Sequence, residues 1–306
     1  MFDRIFIEIC GKCNAKCPWC ANGSSTVKMD TGSFMSAEQF KKLIFSLMQK
    51  EMINDDTVIH LYNWGEPFLH PDIENIISIL NENRIKFYIS TNGSINKLFY
   101  NPGLFEHLTG FRFSTSGFSQ KSYDRIHDFN FEDIKTNILE IAKNIQNCGF
   151  NGIPEISYLV YQFNRDEIYS ANQFAIDNNI KLRASYAFFN SYEQYMSYIN
   201  ETMEYKQLLQ ASKELELFYI NDLLDTKPEN YLCPQTRMLT IDEYCNVLPC
   251  CVVTKNTENC VLGKLLEMST NDVLNAKNSP SICYECDKAG INFLVHNPVD
   301  FKFFNN

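Results

Sequence analysis

The sequence contains no low-complexity tract, no internal repeat, and no apolar run of the ~18 residues that a membrane-spanning helix needs. Its opening, MFDRIFIEICGKC, alternates apolar with polar residues and carries no small-residue cleavage site. No targeting segment and no membrane are therefore expected, and the cytoplasm is the expected location. Basic charge is not in excess: 27 Lys and Arg stand against 37 Asp and Glu, a net charge of −10. Such a chain lacks the basic face that phosphate contacts require, which excludes nucleic acid as a partner. Histidine is sparse, and the five (His60, His70, His107, His127, His296) form no close metal-binding pair. They are expected to be structural.

Cysteine, by contrast, is abundant, with twelve in 306 residues. A chain this long buries a core without disulfides, and thiols in a reducing compartment more often bind metal. The cysteines cluster. Cys10, Cys13, Cys17 and Cys20 open the chain, and Cys233, Cys245, Cys250, Cys251, Cys260, Cys283 and Cys286 close it. Cys148 alone lies between and reads as a small buried apolar residue.

The first two thirds alternate strands with helices. The β-rich runs are Arg4–Cys10, Thr57–Tyr62, Lys86–Ser90, Phe111–Ser114, Ile156–Tyr161 and Lys181–Ala184. Helical periodicity covers Ser36–Lys50, Asp72–Asn83, Phe131–Asn147 and Asp166–Asn178. Repeated strand–helix units predict a parallel sheet with right-handed crossovers. Six units are too few for a closed eight-stranded barrel and predict a partial (β/α)6 barrel, with chemistry at the carboxyl ends of the strands. A further helix is expected over Glu201–Leu224, with a domain boundary after it: 1–225 for the barrel and 226–306 for a small second domain. In that tail, Thr240–Asp242 and Val247–Leu248 predict a hairpin, and a short helix is expected near Asn271–Lys277.

Cys13, Cys17 and Cys20 sit in the octapeptide CNAKCPWC, directly after the first strand. A four-iron cluster normally takes four thiolates, so three in one loop leave one iron open to an exogenous ligand. Zinc on Cys10, Cys13, Cys17 and Cys20 fits poorly, because the two pairs lie closer together than in zinc ribbons. Ferredoxin spacing does not match, and Cys10 is expected to be a strand-end residue. The octapeptide resembles the signature of the radical S-adenosylmethionine (SAM) superfamily. That resemblance implies a 4Fe–4S cluster on Cys13, Cys17 and Cys20, with Trp19 beside the adenine of SAM. Gly65–Glu66–Pro67, after the second strand, resembles the family's Gly-Gly-Glu-Pro motif, with Trp64 in place of the first glycine. It would receive the methionine amino group. Ser90 and Asn92 after the third strand, and Ser114 at the fourth, resemble segments that touch the ribose and carboxylate. Ser116 stands where the family often has Asp. Arg125 is a candidate partner for the SAM carboxylate.

In the tail, Cys233–Pro234, Pro249–Cys250–Cys251 and Cys283-Tyr-Glu-Cys286 resemble the twitch form of the SPASM domain, which holds an auxiliary 4Fe–4S cluster. Cys233, Cys283 and Cys286 map as ligands, and the fourth is Cys250 or Cys251. Structural zinc is the alternative there. The resemblance implies reductive cleavage of SAM to a 5′-deoxyadenosyl radical, removal of a substrate hydrogen, and a one-electron donor such as a flavodoxin or ferredoxin. By size and layout the chain resembles enzymes of the 2-deoxy-scyllo-inosamine dehydrogenase type. Oxidation or epimerisation of a sugar- or cyclitol-like small molecule is therefore expected. Modification of a ribosomally made peptide is the alternative; the first strand starts so near Met1 that no peptide-recognition or cobalamin domain is expected before it. A zinc-holding, non-catalytic module is the non-enzymatic alternative. Tyr62, Tyr158, Tyr161, Arg183 and Tyr186 are candidate pocket residues.

Overall fold

The computed structural model describes residues 2–23, 32–278, 280–297 and 300. In chain order the first part comprises β1 (Arg4–Ile7), α1 (Ala37–Gln49), β2 (Val58–His60), α2 (Ile73–Glu82), β3 (Lys86–Thr91) and β4 (Leu108–Thr115). It continues with α3 (Gln120–Ile126), α4 (Phe131–Asn147), β5 (Glu155–Val160), α5 (Ile168–Asp177) and β6 (Lys181–Tyr186). The six strands are parallel and lie in sequence order across the sheet. This is a mixed α/β fold built on a parallel sheet, as the alternation predicted.

The local reasons are plain. Ser36 caps α1 by accepting from the Gln39 amide, and Phe40, Leu43, Ile44 and Leu47 form one buried stripe. Asn130 caps α4 in the same way, and Ile134, Ile138, Ile141 and Ile145 line its inner face. Alternate strand positions, among them Ile5, Ile7, Ile59, Phe87, Ile89, Phe111, Phe113 and Ile156, bury themselves beneath these helices. Each such side chain contributes about 1.5–3 kcal/mol of apolar burial. The opposite face carries Phe6, His60 and Tyr88 in register across β1, β2 and β3. Their rings stack, Phe6 on His60 at 4.6 Å and His60 on Tyr88 at 5.1 Å.

One expectation is corrected. The single helix over Glu201–Leu224 is broken into α7 (Tyr205–Glu214) and α8 (Phe218–Asp225), after α6 (Tyr192–Ile199). The break falls at Leu215, which turns extended and buries fully. Glu214 on one side of it pairs with Arg125, Glu216 on the other pairs with Arg165, and the Gln162 amide donates to the Leu215 carbonyl. Tertiary contacts thus override helical propensity. The helix α3, capped by Ser119, is an addition to the helices expected from periodicity.

The tail does not stand apart from the sheet. β7 (Met238–Ile241) pairs in parallel with β1 over four positions, Arg4↔Met238 to Ile7↔Ile241. β8 (Asn246–Leu248) and β9 (Gly263–Lys264) follow antiparallel, giving one nine-stranded sheet in the order β6-β5-β4-β3-β2-β1-β7-β8-β9. The predicted hairpin is β7–β8. Cys245 occupies its left-handed turn position (φ 63°), a conformation that favours glycine. Among the described residues three helices follow: α9 (Thr270–Asn278), α10 (Ser281–Lys288) and α11 (Ile291–His296). Among the described residues no helix is long and apolar enough to cross a membrane.

Candidate active site

Because β1 to β4 are parallel, the loops that follow them meet over one end of the sheet. The loop after β2 lies directly on the cysteine loop after β1. A Cβ on Gly65 would fall 1.7 Å from the Cys10 carbonyl oxygen, so only glycine fits there. The Glu66 amide donates to the Lys12 carbonyl at 2.7 Å. Glu8, at the end of β1, is buried and accepts the amides of Trp64 (2.5 Å) and Gly65 (3.1 Å) on one carboxylate oxygen. Burial pushes Glu8 up to about 8; its two amide partners oppose the shift and the nearby Glu243 adds to it. Glu243 is itself buried and paired with Lys255.

Glu66 ties the second loop to the third. Its carboxylate accepts from the Thr91 hydroxyl (2.7 Å), the Asn92 amide (2.7 Å) and the Phe68 amide (2.9 Å). Burial raises its pKa to about 7 against these donors. The Asn92 side chain in turn donates to Asn14, inside the cysteine loop, at 3.0 Å.

These loops wall a cavity of about 430 Å³, within the range of small-molecule and cofactor sites. Cys13, Cys17 and Cys20 line it, together with Trp19, Gly65, Glu66, Ser90, Asn92 and Ser114. Nine of the ten sequence candidates for cofactor contact and the first cluster thus share one cavity, and only Pro67 does not join them. It starts the short 3-10 turn Pro67–Leu69, which carries Phe68 into the core. Cys10 is buried away from the cavity, its thiol donating to the Lys12 carbonyl at 3.3 Å, as a strand-end residue should be.

The three thiols suit a polynuclear cluster. Burial raises all three, Cys13 to about 12, and Cys20 and Cys13 reinforce the shift of Cys17. Buried thiols that repel one another as anions are stabilised by a cationic metal centre that displaces their protons. Among the described residues no three His, Cys, Asp or Glu side chains converge as tightly as a single ion requires.

Trp19 donates its indole N–H to Glu214 Oε2 at 2.8 Å and meets Phe189 edge-on at 5.8 Å. The other oxygen of Glu214 takes both the Nε and Nη2 groups of Arg125, each at 3.1 Å. Arg125 therefore orients the Trp19 partner and stacks on Phe163, and it does not reach the cavity wall. Of the candidate pocket residues, Tyr62, Tyr161 and Tyr186 line the cavity. Tyr158 is sealed in the core, donating to the Asn164 carbonyl, and Arg183 faces Asp300 outside. Sequence reasoning missed His127, which lines the cavity 3.4 Å from the Ser116 hydroxyl, with burial lowering its pKa to about 4.

The adjacent cysteines of the tail separate. Cys251 lines the central cavity, its Sγ accepting from Gln235 at 3.2 Å. Cys250 lines a second cavity of about 190 Å³ with Cys233, Cys283 and Cys286. Cys283 and Cys286, three residues apart on α10, share a helix face. Val252 and Val295 line both cavities, so the two are neighbours across a thin apolar wall. His296, expected to be structural, also lines the second cavity.

The sequence pattern of the radical SAM superfamily matches residues 7–175, more than half of the chain. The chain belongs to the radical SAM superfamily. Membership makes it an enzyme and implies a 4Fe–4S cluster. No curated protein matches it. Among solved structures it is similar to SuiB of Streptococcus suis bound to the precursor peptide SuiA, at 14% identity and a TM-score of 0.58. That match covers 91% of this chain and 65% of the SuiB chain, so this chain spans less than two thirds of SuiB. It is also similar to anSMEcpe with bound AdoMet, at 12% identity and a TM-score of 0.58, covering 95% of this chain and 88% of that one. BtrN in complex with AdoMet and 2-DOIA is 16% identical over 94% of this chain and 87% of that one, with a TM-score of 0.47.

Proposed function

We propose that the chain binds SAM and a 4Fe–4S cluster in the central cavity, holds an auxiliary iron–sulfur cluster in the second, and oxidises its substrate by two electrons. The first cluster would take Cys13, Cys17 and Cys20, and the auxiliary one Cys233, Cys250, Cys283 and Cys286. Cys251 then remains on the central cavity wall rather than serving as a ligand. The observation that carries this reading is the pairing of the two cavities. One gathers Cys13, Cys17 and Cys20 with the SAM-motif residues, the other gathers Cys233, Cys250, Cys283 and Cys286, and Val252 and Val295 line both.

When bound, these groups supply a 5′-deoxyadenosyl radical that removes a substrate hydrogen, and an acceptor for the electron left behind. The protein's own residues do the positioning. Trp19, fixed by Glu214 and Phe189, offers an aromatic face beside the cysteine loop. Glu8 holds the backbone around Gly65 in place, and Glu66, tied to the third loop through Asn92, would face the amino group of SAM. Ser90, Asn92 and Ser114 add polar groups along the same wall. Phe188, Phe189 and Leu294 supply apolar surface that excludes water from a reactive carbon. His127 lies on the same wall, and burial keeps it neutral at pH 7.

A sugar- or cyclitol-like alcohol remains the first substrate class, in the cytoplasm. A peptide is the second reading, favoured because SuiB is bound to the precursor peptide SuiA and anSMEcpe to the Cp18Cys peptide. The test is an iron and sulfide count after anaerobic reconstitution. About eight irons are expected in the parent and about four when Cys13, Cys17 and Cys20 are changed to Ala. About four irons that vanish in that variant would remove the auxiliary cluster and, with it, the two-electron oxidation.

A further inference from the structure

The second cavity contains a cation that the reading above does not use. Lys277, on α9, lines it beside Cys233, Cys250 and Cys283. Its ammonium donates to the carbonyl of Pro249, at 2.8 Å, the residue immediately before Cys250. Among the described residues no carboxylate pairs with it. The ionisable groups that act on it most strongly are thiols: Cys250, Cys283, Cys233 and Cys251. Lys255, by contrast, is buried against a carboxylate, that of Glu243. Burial lowers the pKa of Lys277 and those thiols, as anions, oppose the shift.

Lys277 is partly buried, and an ammonium drawn from water without a counter-ion is costly unless a negative group completes the site. Neutral thiols do not supply that charge. Four thiolates on an iron–sulfur cluster do, since the assembly carries net negative charge. The charge and hydrogen bonding around a cluster set its reduction potential. A cation at its edge attracts the reduced form, which is the more negative one, more strongly than the oxidised form.

We infer that Lys277 is a positioning residue for the four-cysteine site, supplying the positive charge that balances an anionic iron–sulfur cluster and raising its reduction potential. The inference rests on the proposed function, in which that cluster accepts an electron. It also explains the bond to Pro249: the same ammonium fixes the backbone that presents Cys250.

The test uses the full chain with Cys13, Cys17 and Cys20 changed to Ala, reconstituted anaerobically so that only the second site carries iron. Lys277→Met and Lys277→Arg are made on that background. Iron and sulfide are counted, and the midpoint potential is read by electron paramagnetic resonance during a redox titration. Lys277→Met should keep its iron and show a lower midpoint, and Lys277→Arg should return it towards the parent. Loss of iron in Met but not in Arg would equally assign the role to charge. An unchanged midpoint in Met, or iron lost from both variants, overturns the inference and leaves the proposed function standing. No iron in the background chain itself overturns both.

Discussion

Replacing Glu8 with Gln should remove a single, identifiable proton from the folding equilibrium. Glu8 is buried, and one of its oxygens accepts both the Trp64 and Gly65 amides. Gln keeps that acceptor and discards the charge, so the loop that carries Gly65 and Glu66 should stay in place. The folded pKa of Glu8 is about 8, against 4.5 for an unperturbed glutamate. A raised folded pKa means that the folded state holds the proton more tightly. The contribution is therefore complete below pH ~4.5 and is lost as pH rises through about 8. Within that window the slope is about 1.4 kcal/mol per pH unit, and from pH 5.5 to 7.5 it sums to about 2–3 kcal/mol. Other buried groups titrate in the same range; His127 works in the opposite direction. The relevant quantity is accordingly the difference between variant and parent, measured by urea unfolding of the metal-free, reduced chain. The variant should gain about 2–3 kcal/mol relative to the parent over those two pH units. A difference that stays flat with pH would refute the reasoning, because Glu8 would then be ionised in the folded chain.

Gly65→Ala places a methyl group against the Cys10 and Lys12 carbonyls, backbone atoms that cannot yield, and should cost about 3 kcal/mol or more and lose the iron of the first site on reconstitution. Cys250→Ala should halve the iron of the reconstituted protein, whereas Cys251→Ala should leave the count unchanged, since the two thiols line different cavities. Trp19→Phe keeps the ring but leaves Glu214 Oε2 without its donor, and should destabilise the chain by about 1–3 kcal/mol in thermal or urea unfolding.

What the sequence revealed and what it concealed follow physical lines. The six parallel strands were legible because alternating apolar residues and turn signals are local. The cysteine loop and Gly65–Glu66 were legible because their spacing is short. The pairing of β7 with β1 was not, since it joins residues more than 230 positions apart and leaves no local mark. Nor was the separation of Cys250 from Cys251, which arises where the chain bends and turns after β8 and so presents the two thiols to different cavities. Glu8 carries no local mark of its burial. Its position, one step out of phase with Ile5, Ile7 and Ile9, sets it on the inner face with Phe6, where burial rather than solvent awaits it. Arg125 shows the converse: its charge suggested a ligand, and Glu214, 89 residues further on, supplies the partner.

The central claim is that Cys13, Cys17 and Cys20 form the centre at which SAM is cleaved. The direct measurement is 5′-deoxyadenosine formed from SAM by the anaerobically reconstituted chain under reductant, beside the variant with those three cysteines changed to Ala. The account predicts 5′-deoxyadenosine and methionine from the parent and neither from the variant, with the iron of the second site retained in both. Cleavage that persists in the variant, or its absence from a fully loaded parent, would contradict it.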